Sequence, residues 1–80
     1  MRGDTNQGIT NVIVEYKVNA QNAQLVINKM ENPQSIRTII LDVHNNSIEI
    51  DVAQLPLGVY LVKLIADNLM VDKEKMVIFR

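Results

Sequence analysis

The chain has 80 residues, 48% of them hydrophobic, and a formal net charge of −1 at pH 7. This length limits it to one domain, whose core has to draw on residues from end to end. Basic and acidic residues are balanced and scattered, which argues against a nucleic-acid partner, and the absence of cysteine excludes disulfides, thiol chemistry and thiolate metal sites.

The chain begins with a polar stretch. Residues 1–11 contain two glycines and several amide or hydroxyl side chains, so we predict a flexible, linker-like segment there and a folded domain over residues 12–80. The longest uncharged apolar segment, residues 57–62, is far too short to cross a bilayer. Direct membrane insertion is therefore not expected.

The first half of the domain shows the alternation of apolar and polar residues that is typical of strands. It predicts strands over residues 12–18, 24–30 and 36–43. An Asn-Pro pair at residues 32–33 separates the second from the third, and the polar run at residues 44–47 predicts a turn after the third.

The second half continues the pattern. Residues 48–52 show the clearest alternation of apolar and polar residues, which favours an antiparallel sheet with one solvent-exposed face. Residues 59–66 form the next predicted strand, and Asp67 with Asn68 predicts a second turn. Residues 69–71 are predicted as a short arm of their own, and residues 73–79 as the last strand.

These strands predict an all-β fold: a small immunoglobulin-like antiparallel β-sandwich of six or seven strands. A closed barrel is the alternative, since an alternating pattern does not separate the two. The predicted core consists of inward-facing apolar residues from every strand: Val14, Tyr16, Leu25, Ile27, Ile39, Leu41, Ile48, Ile50, Val52, Tyr60, Val62, Leu64, Val77 and Phe79.

Few residues have side chains that could form a catalytic or metal-binding site. His44 is the only histidine and lies in a predicted turn, so a solvated turn residue is the expected role. Asp42, Glu49 and Asp51 are expected on solvated strand faces, without the glycine-punctuated loop of a calcium site. No phosphate-binding loop, nucleophile elbow or zinc-binding pair occurs in the sequence. We therefore expect neither enzymatic activity nor a cofactor.

The segment QLPLGVYLVKL, residues 54–64, joins a rigid turn to an apolar strand. Pro56 fixes its backbone and removes a donor, while Gly58 supplies a conformation that a side chain resists. Leu55, Pro56, Gly58 and Tyr60 are thus predicted as a turn and core motif, with the tyrosine ring in the core.

Together with its flanks, this segment resembles a known family. A polar-alternating strand, then Leu-Pro-x-Gly-Val-Tyr, an aliphatic run with Lys63, and the basic, apolar ending KEKMVIFR are similar to the C-terminal sorting domains of type IX (Por) secretion cargo proteins of Bacteroidota. Residues 25–27 and 40–43 resemble the family's earlier strands.

The resemblance implies a non-catalytic domain that directs an attached upstream cargo domain to the cell surface or the extracellular space, with the periplasm in transit. Its expected partners are the secretion translocon and a sortase-like peptidase that would cut within residues 1–11. We expect the folded terminal strands to be recognised. The predicted recognition residues are Lys73, Lys75, Met76, Val77, Ile78, Phe79 and Arg80.

Two other roles stay open at this stage. One is a small Bacteroides-type envelope β-sandwich protein, which shares a similar Leu-x-x-Gly-x-Tyr signature. The other is an accessory binding domain of a larger secreted enzyme or adhesin. The scarcity of aromatic residues disfavours a carbohydrate-binding face, because the core needs the few that there are.

Overall fold

The computed structural model describes residues 2–3, 11–32 and 34–78, and these residues form strands and no helix. The strands are β1 (Arg2–Gly3), β2 (Asn11–Glu15), β3 (Ala23–Lys29), β4 (Ser35–Leu41), β5 (Ser47–Asp51), β6 (Gly58–Ala66) and β7 (Leu69–Ile78). The predicted all-β class is confirmed.

The strands form two sheets in which every pair of neighbours is antiparallel. One sheet has three strands in the order β1-β2-β5, and the other has four in the order β4-β3-β6-β7. Two of the chain connections, β2 to β3 and β5 to β6, pass from the three-stranded to the four-stranded sheet. The result is the predicted sandwich.

The core lies between the sheets and follows from the alternation along each strand. The three-stranded sheet contributes Val12, Val14 and Ile50, and β3 and β6 contribute the fully enclosed side chains of Leu25 and Ile27, Tyr60 and Leu64. Tyr16 and Val52, which directly follow β2 and β5, are buried as well. Ile39 and Ile48, predicted as core residues, are partly buried and pack against this cluster.

The predicted turn at Asp67 and Asn68 joins β6 to β7. Both residues have positive φ, 49° and 68°, as a two-residue hairpin with a type I′ turn requires. The Asp67 carboxylate also accepts hydrogen bonds from the backbone N–H groups of Gln21 and Asn22, each at 3.2 Å. The turn is thereby tied to the segment that enters β3.

The predictions for the end of the chain were wrong in two respects. Residues 69–71 are not a separate arm, because β7 runs without interruption from Leu69 to Ile78. Val77 does not face the core either: Met76 lies opposite Tyr60 and is buried with Ile78, while Val77 is half-buried on the opposite face. A register shift between Leu64 and Ile65 adds one residue to β7. Phe79, also placed in the predicted core, lies outside the described residues.

Strand β1 and the first residue of β2 fall within residues 1–11, where a linker is predicted. Strand β2 begins at Asn11, and β1 pairs with its far end, Arg2 opposite Glu15 and Gly3 opposite Val14. A linker over residues 1–11 followed by a domain over residues 12–80 stays a prediction.

Candidate recognition surface

The motif Leu55, Pro56, Gly58 and Tyr60 forms the connection from β5 to β6. Leu55 is buried and donates its N–H to the Val52 carbonyl at 3.0 Å, which closes a turn after β5. Tyr60 is completely enclosed, and its hydroxyl donates to the carbonyl of Pro56, four residues upstream. A tyrosine bonded back to the preceding connection is the tyrosine corner of immunoglobulin-like sandwiches.

Gly58 begins β6 with a φ of +153°, a conformation that side chains rarely adopt. Space does not limit this position, because a Cβ there would lie 3.9 Å from Cε1 of Tyr60. The requirement for glycine is therefore one of backbone geometry: the chain has to leave the three-stranded sheet and enter the four-stranded one within a few residues.

The predicted recognition residues divide between the two faces of β7. Met76 and Ile78 are buried, so the folded domain does not offer their side chains to a partner. Lys73 and Lys75 are exposed and Val77 is half-buried on the outer face of the four-stranded sheet. Phe79 and Arg80 lie outside the described residues.

Among the described strands, β7 forms a ladder with β6 alone, so its other edge is unpaired, although β1 lies close to β7. This unpaired edge is called the open edge. Successive residues direct their backbone groups alternately to the two sides of a strand. The Val59 carbonyl accepts from the Met30 N–H at 3.0 Å, on the side away from β7. Its opposite residue, Val77, therefore directs its own N–H and C=O away from β6 and toward the open edge.

The same alternation turns the backbone groups of Lys75 and Lys73 to the open edge. The Lys73 N–H is already satisfied, because the Asp72 carboxylate accepts from it at 2.8 Å. Charged side chains and a register irregularity near residue 71 are devices that discourage unwanted strand pairing. The edge is thus best suited to accept a further strand at Lys75 and Val77.

The acidic side chains singled out by sequence act as hydrogen-bond acceptors. Glu49 accepts from the Asn11 side-chain amide on β2 at 3.2 Å, and the other two accept locally. Asp42 accepts from the backbone N–H of His44 at 2.8 Å, and Asp51 from that of Ala53 at 2.9 Å. His44 is exposed in a turn. Among the residues that the structure describes, no group of three or more His, Cys, Asp or Glu could hold a metal ion.

Tyr16 has the second tyrosine hydroxyl, and it donates to the Asp42 carbonyl at 2.8 Å. Burial, followed by the negative charge of Asp42, raises the pKa of this phenol above its ordinary value of 10.0.

Among the described residues there is no helix long and apolar enough to cross a membrane.

Comparison with known protein families gives a match. Residues 6–79 match the family model described as "Secretion system C-terminal sorting domain". The chain belongs to this family. No curated protein and no solved structure matches it.

Membership makes the chain a C-terminal sorting signal of type IX secretion. It implies an attached upstream cargo, handling by the type IX secretion system, and export through the periplasm to the cell surface or the extracellular space. Domains of this family are generally non-catalytic.

Sequence reasoning missed two features of the sorting domain. The tyrosine corner has a local signal, a tyrosine four residues after a proline and two after a glycine. No local signal shows which face of β7 points inward, because apolar residues occupy both faces at its last three described positions, Met76, Val77 and Ile78.

Proposed function

We propose that the machinery of type IX secretion recognises this sorting domain in its folded state through the open edge of β7, and that the domain itself catalyses no reaction. The translocon would read the edge, and a sortase-like peptidase would release the cargo by cutting within residues 1–11. The observation that carries the proposal is the outward direction of the Lys75 and Val77 backbone groups in a strand held in place by buried Met76 and Ile78.

Strand addition fits this edge physically. An added strand gains affinity from main-chain hydrogen bonds, while alternate side chains set its register. Met76 and Ile78 contribute indirectly, since they lie opposite Tyr60 and Gly58 and hold β7 against the core. The predicted recognition set then has two roles: Lys75 and Val77 make contact, and Met76 and Ile78 position the strand.

The test is a reporter protein fused to the chain in a host that carries a type IX system. The wild-type fusion should reach the cell surface. Val77→Pro removes one outward N–H, which an edge strand tolerates without loss of its own ladder, and it should strongly reduce surface delivery.

Thr38→Pro is the matched control. Thr38 lies on β4, the other edge of the same sheet, opposite Val26, whose backbone groups face β6 by the same alternation. The Thr38 N–H therefore also points outward. Thermal unfolding of both purified variants should show a folded domain. Normal delivery of the folded Val77→Pro fusion would contradict recognition through this edge.

Deleting residues 76–80 should abolish delivery as well. Because that deletion also removes two core side chains, the proline variant is the more specific test.

A further inference from the structure

The described strand residues on the outer face of the four-stranded sheet carry positive charge only. The chain has a net charge of −1, yet every charged strand residue on this face is a lysine: Lys63, Lys73 and Lys75. The acidic residues of β7, Asp72 and Glu74, lie opposite core residues of β6 and belong to the other face.

Two of the lysines are direct neighbours. Lys63 and Lys73 lie opposite each other in the β6–β7 register, and Lys75 follows on the same face. Like charges placed directly opposite across a strand pair destabilise a sheet. The described strand residues provide no carboxylate on this face to offset the repulsion, so the facing lysines lower the stability of the sheet. A negatively charged partner would remove this repulsion.

The lysines lie between two apolar rows. One row crosses the sheet through Ile40, Gln24, Ile65 and Met70. Its outer members, Ile40 and Met70, are 74% and 54% exposed, and Ile65 is half-buried. The other consists of Val59, 39% exposed, opposite Val77. Exposed apolar side chains grouped on one face mark a contact surface rather than a solvated one.

We propose that this surface, the lysine face, is a docking site for an acidic protein surface of the secretion machinery, one that presents carboxylates between apolar patches. The inference rests on the proposed function and extends it from the edge of β7 to the adjoining sheet face. Opposite charges across an interface set its specificity and accelerate the encounter.

Charge and geometry favour an acidic protein surface over a second copy of the chain or a lipid surface. A second copy of the chain docked face to face would bring two sets of lysines together, and the repulsion disfavours it. Insertion into a lipid surface would carry the lysines to the same depth as the apolar rows that flank them on a rigid sheet. A protein surface can instead match each row with its own side chains.

The size of the face indicates a transient contact. Four strands about 4.8 Å apart and about six residues at 3.4 Å each give a face of about 400 Å². With a matching area on the partner, the buried total stays below about 1,200 Å², in the range of weak, short-lived complexes. Such a contact suits a signal that is bound, handed on and released.

The test reverses the charge in the same reporter fusion with Lys63→Glu, Lys73→Glu and Lys75→Glu together. Three glutamates repel one another as three lysines do, so the stability of the domain should change little, whereas complementarity to an acidic partner is inverted. We expect surface delivery to fall at least about tenfold. A control with the same change in net charge places it on exposed residues elsewhere: Lys17→Glu, Asn19→Asp, Gln21→Glu, Asn45→Asp and Gln54→Glu.

The partner is then identified by a photo-crosslinking residue at Met70, which is exposed in one of the apolar rows of the lysine face. Changing acidic residues of the crosslinked protein surface to lysine should restore delivery of the triple variant. Binding of the wild-type chain to vesicles of phosphatidylethanolamine with phosphatidylglycerol, lost in the triple variant and without any charge-swap rescue, would overturn the proposal in favour of lipid.

The outcomes separate the two proposals. Failure of the wild-type fusion to reach the surface contradicts the proposed function. Delivery of the wild-type and the triple variant at equal levels contradicts the lysine face alone. Edge recognition is tested separately by comparing Val77→Pro with Val77→Ala, because both change the same side chain and only the proline removes the outward N–H.

Discussion

Gly58 and Tyr60 stabilise the connection between β5 and β6 by different means. At Gly58 the constraint is the backbone angle, and at Tyr60 it is a hydroxyl that has to find a partner inside the core. Because the two residues are separated by a single position, the proline carbonyl, the glycine and the buried ring define one path for the chain between the sheets.

Gly58→Ala should lower the free energy of unfolding by about 1–3 kcal/mol, because alanine resists a φ of +153° even though its methyl group has room. Urea unfolding of the purified chain measures the change. Leu57→Ala, at an adjacent exposed residue, is the control and should alter stability by less than about 0.5 kcal/mol. Equal stability of Gly58→Ala and wild type would show that the backbone angle is not required.

Strand β7 combines two tasks along its length. Its described end holds the strand in the core through Met76 and Ile78, and the residues between and before them, Val77 and Lys75, face outward. Its charged middle, from Asp72 to Glu74, protects the edge against indiscriminate pairing. An element with separate anchoring and contact residues can be recognised without being unfolded.

This division predicts losses of stability of very different size for neighbouring substitutions. Met76→Ala should destabilise the domain by about 2–5 kcal/mol, because it leaves a cavity against Tyr60. Val77→Ala should cost less than about 1 kcal/mol, since this side chain is half-buried on the outer face. Urea unfolding of both variants measures the two losses of stability. A larger loss for Val77→Ala than for Met76→Ala would show that Val77, and not Met76, faces the core.

At the scale of the whole molecule, Tyr16 ties the two sheets together. It follows β2 of the three-stranded sheet and donates its hydroxyl hydrogen to the carbonyl of Asp42, which follows β4 of the four-stranded sheet. Its backbone N–H donates to the Asn46 carbonyl at 2.9 Å, so the connection between β4 and β5 is held at two points.

This tie predicts a loss of stability in alkali. The pKa of Tyr16 is raised in the folded chain, so the unfolded chain releases the phenolic proton first, at its ordinary pKa of 10.0. The unfolded state then binds fewer protons, and unfolding becomes more favourable as pH rises. The contribution of Tyr16 is complete below about pH 10 and is lost as pH rises through the higher pKa of the folded state.

Urea unfolding at about pH 8 and about pH 11 measures the effect in wild type and in Tyr16→Phe. The variant should be less stable than wild type at the lower pH, because the Asp42 carbonyl loses its donor, and the difference should shrink at the higher pH. A difference that stays constant between the two values would contradict a raised pKa.

The sequence by itself determined strands β2 to β6, the hairpin turn and the family. An alternating pattern reports an extended chain with two unlike faces, Asp67 and Asn68 tolerate positive φ, and the Leu-Pro-x-Gly-Val-Tyr segment is a local motif. These features depend on residues close together in the chain, so the local pattern of residues is enough to predict them.

Only the tertiary structure decided which faces point inward and which residues become neighbours. In β7 both faces are apolar near its end, so its register with β6 places Met76 against Tyr60 and turns Val77 outward. The same pairing sets Lys63 opposite Lys73 from different strands. Such relations arise from long-range strand pairing and from a one-residue register shift, which reverses every side chain beyond it and leaves no local trace in the sequence.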